Sequence, residues 1–333
     1  MGQEDTLIER IADAIPSVRG PGTRGDEVRL GIGDDAALLA PRPGRHWVVT
    51  CDQFLDGVHF RAETYPPDSV GYKSLVRAAS DLAAMGAQPH SFLLALALPG
   101  ARTGAWLDGF LRGMARAARE LGVRVIGGDT TRSDRVSINL TVIGEVAEGL
   151  AVTRSGARPG DVICVSGRLG RAALGLALME SGVRSSRSLA PLLQPHLYPR
   201  IRIRLGAWVA QRRIASAMMD LSDGLSTDLA RLCKASGVGA RLDASRIPAV
   251  KISEAAARAL GRRHLDPLSW ALDGGEDYEL LFTVPRQNLK TLQSAPRFAA
   301  ITAIGEIARE KGITLEINAR VKPLKRAGWD PFA

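Results

Sequence analysis

The chain has 333 residues, 45% of them hydrophobic, which is too long for one ordinary core and apolar enough to fill two, so intrinsic disorder is set aside. No apolar run approaches the ~20 residues of a bilayer-spanning helix and the N-terminus alternates charges where a signal peptide would be apolar, so a soluble, cytoplasmic protein without membrane partners is expected. The formal charge of +9 comes from scattered arginines, and with 5% aromatic residues and no Lys/Arg block nucleic acid is not an expected partner; the basic surface suits small anionic substrates instead.

In chain order, Leu7, Ile8, Ile11, Ala12 and Ile15 recur at helical spacing and predict an opening amphipathic helix. Short β-rich runs at 47–50, 92–98, 124–126 and 136–142 then alternate with helical stretches near 69–85 and 103–121, the pattern of a mixed α/β domain. Arg158-Pro159-Gly160-Asp161 reads as a turn, and 162–165 starts a new strand. Helices follow near 172–180, 201–211, 225–235 and 254–260, interleaved with strands near 240–242, 278–284 and 300–307. The similar element order of the halves predicts two α/β domains, 1–150 and 151–333. Cys51, Cys164 and Cys233 lie far apart, without the spacing of a disulfide framework or a zinc site.

The chemistry concentrates in segments that set Asp or Glu beside small residues. They are Gly31-Ile32-Gly33-Asp34-Asp35-Ala36, Thr50-Cys51-Asp52, Ser80-Asp81-Leu82-Ala83-Ala84-Met85-Gly86, Gly127-Gly128-Asp129-Thr130-Thr131 and Met219-Asp220-Leu221-Ser222-Asp223-Gly224, with Gly274-Gly275-Glu276-Asp277-Tyr278 as a later relative. One such segment alone is commonly a turn or a helix cap. Their recurrence argues for a shared task. A carboxylate ending an apolar strand calls for a cation, and Mg²⁺ is the natural one, held by a few carboxylates together with substrate phosphates. Neighbouring glycines let backbone N–H groups approach phosphate oxygens. The apolar run after Asp81 places that carboxylate at a site and not on a solvated helix face. No Walker A loop, dinucleotide fingerprint or protein-kinase signature is present, which leaves acids, metal and glycine loops to hold a polyphosphate, with Arg154 and Lys73 as candidate charge partners.

These segments, with DGVHF (56–60), TRSGARPGD (153–161), GGEDYELLFTV (274–284) and GWDPF (328–332), resemble the thiamine-monophosphate kinases of the aminoimidazole ribonucleotide synthetase-like superfamily. The resemblance implies a two-domain α/β (α+β) fold in which the N-terminal mixed sheets of two subunits close into a barrel across a homodimer. The first domain would bind metal and ATP and dimerise, and the second would complete the active site. It further implies direct, in-line transfer of a phosphoryl group from ATP to thiamine monophosphate without a phosphoenzyme. By position, Asp35, Thr50, Cys51, Asp52, Asp81, Asp129, Asp220 and Asp223 would hold several Mg²⁺ ions, with Asp52, Asp129 and Asp220 central to catalysis. Gly128, Asp129, Arg154 and Ser222 would contact ATP, and His59, Glu276 and Trp329 the thiamine moiety. The indole and carboxylate suit a cationic thiazolium and an aminopyrimidine. Two positions depart from the family pattern: a thiol at Cys51 is a poor Mg²⁺ ligand, and Ala78-Ala79 stand where relatives often carry Asn. Other ATP-using enzymes of the superfamily are the first alternative, though the chain lacks the cysteines expected of a selenophosphate synthetase or a hydrogenase maturation factor. A non-catalytic nucleotide-binding protein is the second.

Overall fold

The computed structural model describes residues 3–20, 27–32, 36–40, 42–182, 189–261, 265–294 and 300–329. The chain divides into two units, Met1–Leu82 with Ala87–Gly149, and Ala83–Gly86 with Leu150–Ala333.

The first unit runs α1 (Gln3–Ala14), β1 (Val28–Leu30), β2 (Leu38–Leu39), β3 (Arg45–Leu55), α2 (Pro67–Ala84, whose last turn groups with the second unit), β4 (Gln88–Leu98), α3 (Ala105–Leu121), β5 (Arg124–Arg132) and β6 (Ser137–Ala147). Its main sheet has the order β3-β6-β4-β5, with only the β4/β5 pair parallel. That pair is joined through α3, as a parallel connection requires. Leu107, Phe110, Leu111 and Met114 recur every three to four residues of α3 and are all buried. Each such burial contributes about 1.5–3 kcal/mol, which explains why the period of three to four residues dictates the helix.

The second unit runs β7 (Val162–Ser166), α4 (Arg171–Glu180), α5 (Ala190–Leu197), α6 (Ile203–Gln211), β8 (Ala217–Asp220), α7 (Leu225–Ser236), β9 (Gly239–Asp243), α8 (Glu254–Ala259), α9 (Pro267–Asp273), β10 (Leu280–Val284), α10 (Leu289–Gln293), β11 (Ile301–Ala308), β12 (Ile313–Ile317) and β13 (Arg320–Pro323). Its seven strands have the order β13-β12-β9-β11-β7-β10-β8, all antiparallel except β12/β9. Alternate residues of the central strands enter two different cores. Ile163, Val165, Met219 and Leu281 meet Leu225, Leu229 and Leu232 of α7, whereas Cys164, Met218 and Phe282 meet Leu205 and Val209 of α6. Strands covered on both faces read as continuous apolar runs, which is how 162–165 and 280–284 appear in the sequence.

Several strands exceed their predicted length, and in two of them the extension takes in predicted site residues. The runs predicted at 47–50 and 124–126 continue to Leu55 and Arg132, so Asp52 and Asp129 lie within strands and not at their ends. Both continuations cross residues disfavoured in strands, Asp52 in one and Gly127-Gly128-Asp129 in the other, and the pairing of each strand with its neighbour overrides that preference.

Candidate active site

In β3 the pleat turns Val48, Thr50, Asp52 and Phe54 toward buried or half-buried surroundings and leaves Val49, Cys51 and Gln53 exposed. Two carboxylate contacts link this inner face to α2. Thr50 Oγ1 donates to Asp81 Oδ2 at 2.5 Å, and Arg77 Nε lies 2.8 Å from Asp52 Oδ2. Their spacing is matched: four residues of helix rise about 6 Å, and two residues of strand about 6.8 Å. Burial pushes the Asp52 carboxyl above the ordinary range, Arg77 opposes the shift, and the like charge of Asp81 adds to it.

Cys51, predicted as a metal-ligand position, sits on the opposite, exposed face of β3, where its Sγ donates to Asn139 Oδ1 at 3.3 Å. Lys73 is 1% exposed within α2, which withdraws it from the role of charge partner for a soluble phosphate. Gly128 and Asp129 are exposed in β5. A Cβ on Gly128 would stand 1.9 Å from the Leu94 carbonyl oxygen, so close pairing with β4 by itself demands glycine there. His59 is half-buried; its Nδ1 accepts from the Leu55 N–H at 3.1 Å and its ring lies 5.7 Å from that of Phe54. Asp35 falls outside the described residues.

In the second unit, buried Asp220 ends β8, and residues 221–224 turn the chain into α7. Asp228, in the first turn of α7, is fully buried and accepts the N–H groups of Ser222 at 3.1 Å and Asp223 at 3.0 Å. Burial pushes its carboxyl up to about 6 against the pull of the Asp223 N–H, and Arg231 bridges Asp228 and Asp223. Two distant segments tie onto the same turn. The Glu276 N–H donates to Ser222 O at 2.7 Å and the Trp329 N–H to Asp223 O at 3.0 Å. Three residues predicted for two different ligands, Ser222, Glu276 and Trp329, thus gather around one loop. The Glu276 carboxylate lies 3.2 Å from Nδ1 of His196, a buried residue of α5. Arg154 is exposed, and its carbonyl accepts from Ser236 Oγ at 3.0 Å.

Four residues not singled out from the sequence shape these surroundings: Arg77, Asp228, Arg231 and His196. Asp228 carried a signal, since it closes the motif Asp223-Gly-Leu-Ser-Thr-Asp228 in the first helical turn; the others carried none. Among the described residues no group of three or more His, Cys, Asp or Glu side chains stands close enough to hold a metal ion. The donors assembled by β3 and α2 are all oxygens and include two mutually repelling carboxylates, a set that fits a hard cation taking few protein ligands and keeping its waters.

Residues 33–146 match the N-terminal domain of AIR synthase related proteins, and residues 158–324 match the C-terminal domain. Sheet order and acid-bearing strands therefore belong to an AIR synthase-related protein of two α/β domains. The chain is 39% identical to the thiamine-monophosphate kinase of Escherichia coli strain K12, over 99% of this chain and 98% of that one. It belongs to the thiamine-monophosphate kinase family. The crystal structure of the thiamine-monophosphate kinase of Stenotrophomonas maltophilia K279a is similar at 39% identity and a TM-score of 0.78, covering 94% of this chain and 96% of that one. AaThiL complexed with AMPPCP and TMP is similar at 28% identity and a TM-score of 0.76, covering 98% and 94%.

Proposed function

We propose that this chain transfers the γ-phosphate of ATP to thiamine monophosphate, giving thiamine diphosphate, with Mg²⁺ as its metal. The observation that carries the reading is the chain-long identity to a thiamine-monophosphate kinase, 39% over 99% of the chain. The relative that holds AMPPCP and TMP supports the same pair of substrates.

In this reading Thr50, Asp52, Asp81 and Asp129 of the first unit hold Mg²⁺, as do Asp220 and Asp223 of the second, with Asp35 assigned by resemblance and Cys51, whose thiol faces away, contributing through its backbone. Bound there, the metal neutralises and polarises the phosphates that must meet. The protein's own part is alignment. Gly128 offers a backbone group and Ser222 its hydroxyl to ATP, and Arg154 offers an exposed cation. His59, Glu276 and Trp329 receive the thiamine moiety; the Glu276 carboxylate pairs with the aminopyrimidine, and the indole of Trp329, 47% exposed, is available to stack on the cationic thiazolium. The acceptor phosphate is ionised near neutral pH, so no strong base is needed, and the aspartates hold metal without carrying protons.

The same reading includes a homodimer in the cytoplasm. The exposed face of β3, where Val49 is 59% exposed beside Cys51 and Gln53, supports a second copy pairing through the N-terminal sheet to close a barrel. Among the described residues no helix is long and apolar enough to cross a membrane.

Replacing Asp52, Asp129 and Asp220 singly by Asn tests the metal-holding roles. Turnover is expected to fall by about a hundredfold or more for each, with the circular dichroism spectrum unchanged. Near-normal turnover in folded variants would contradict the assignment.

A further inference from the structure

One side chain engages both oxygens of Asp52. Besides the contact of Arg77 Nε with Oδ2 at 2.8 Å, Arg77 Nη2 donates to Oδ1 at 3.2 Å. The Nη2 contact is a hydrogen bond, and the Nε contact is a close ion pair, so the planar guanidinium spans the carboxylate where an ammonium would meet it at one point. The pair is largely withdrawn from water, with side-chain exposures of 15% for Arg77 and 27% for Asp52. The guanidinium carbon also lies 5.1 Å from the centre of the Phe54 ring, two residues along the same face of β3, so packing holds the cation over the strand. A guanidinium does not lose its proton in a protein, so this charge is permanent.

We infer that Arg77 competes with divalent metal for the Asp52 carboxylate and thereby sets how tightly the site takes its ion. The inference rests on the reading of Asp52 as a metal ligand and extends it. A cation that coordinates Asp52 must break this hydrogen-bonded ion pair before it gains an oxygen ligand, and that cost is subtracted from its affinity. The spacing that brings Asp81 onto Thr50 brings Arg77, one turn earlier on α2, onto Asp52. The same helix face therefore presents one group that supports a cation and one that replaces it.

Mn²⁺ is a suitable probe, because unbound Mn²⁺ is counted directly by electron paramagnetic resonance without turnover or nucleotide. The full-length protein is compared with Arg77→Met, Arg77→Lys and Asp52→Asn, each checked for an unchanged circular dichroism spectrum. Arg77→Met keeps an apolar stem and removes the charge, and is expected to bind Mn²⁺ about tenfold more tightly. Arg77→Lys keeps a charge without the fork and is expected to fall between Arg77→Met and the natural protein; it also serves if Arg77→Met does not fold. Asp52→Asn is expected to weaken Mn²⁺ binding. Unchanged or weaker binding by both Arg77 variants, with Asp52→Asn still weakened, would overturn the competition and leave the metal site standing. Equal Mn²⁺ binding by the natural protein and Asp52→Asn would overturn the metal role of Asp52 itself, and the inference with it.

Discussion

Within Gly274-Gly275-Glu276-Asp277-Tyr278-Glu279 three acids perform three separate tasks. Glu276 faces His196; Asp277 accepts the Gly170 N–H at 2.6 Å and the Ala172 N–H at 3.1 Å, capping α4; Glu279 is engaged by Arg202 at 2.6 Å and by Ser166 Oγ at 2.5 Å. The segment was legible as an acid-rich cluster, and its division of labour was not, because positive φ at Glu276 (67°) and Tyr278 (49°) breaks any regular alternation of faces. Arg77 was hidden for a related reason: an arginine in a helix reads as a solvated charge until a strand supplies its carboxylate. Burial pushes the Asp277 carboxyl up to about 7 from 3.8, against the pull of the helix N–H groups. The native state thus holds this proton more tightly than the unfolded chain. The stability that the bound proton contributes in acid is lost as pH rises from about 4 to about 7. In urea unfolding across this range, the natural protein is expected to lose stability relative to Asp277→Asn as pH rises; parallel curves would contradict the assignment.

Elements with one clear apolar stripe were legible to within a few residues. The predicted helices near 69–85, 103–121 and 225–235 are Pro67–Ala84, Ala105–Leu121 and Leu225–Ser236. Short elements went unread, such as Ala190–Leu197, where Pro191 and Pro195 read as helix breakers although Leu193 and Leu197 are buried on one face, and β13, exposed throughout. The segment carrying Trp329 shows how packing at the element scale bears on the site. Gly328 lies so close to the 221–224 turn that a Cβ would stand 2.0 Å from Asp223 O, the atom that accepts the Trp329 N–H. Gly328→Ala must therefore lift Trp329 off the turn. Its KM for thiamine monophosphate is expected to rise several-fold in steady-state kinetics while the KM for ATP changes little; equal effects on both would place Trp329 outside the acceptor's site.

At the scale of the whole molecule, the two units were legible as two runs of alternating elements, because each fills its own core. Assembly was not legible in the same way, since the exposed residues of β3 look like ordinary surface until pleat and register set them on one face. If that face pairs two copies, Val49→Arg introduces charge where apolar contact is needed, and the variant is expected to sediment as a monomer while the natural protein sediments as a dimer. Identical sedimentation would argue against pairing through β3. The substrate assignment draws on identity along the whole chain, so no single variant tests it as directly as the reaction itself. The decisive measurement is ADP release from Mg-ATP with thiamine monophosphate, free thiamine or no acceptor, with products identified by mass. The account predicts thiamine diphosphate from the monophosphate alone; ATP bound without product from any acceptor, or equal turnover of free thiamine, would contradict it.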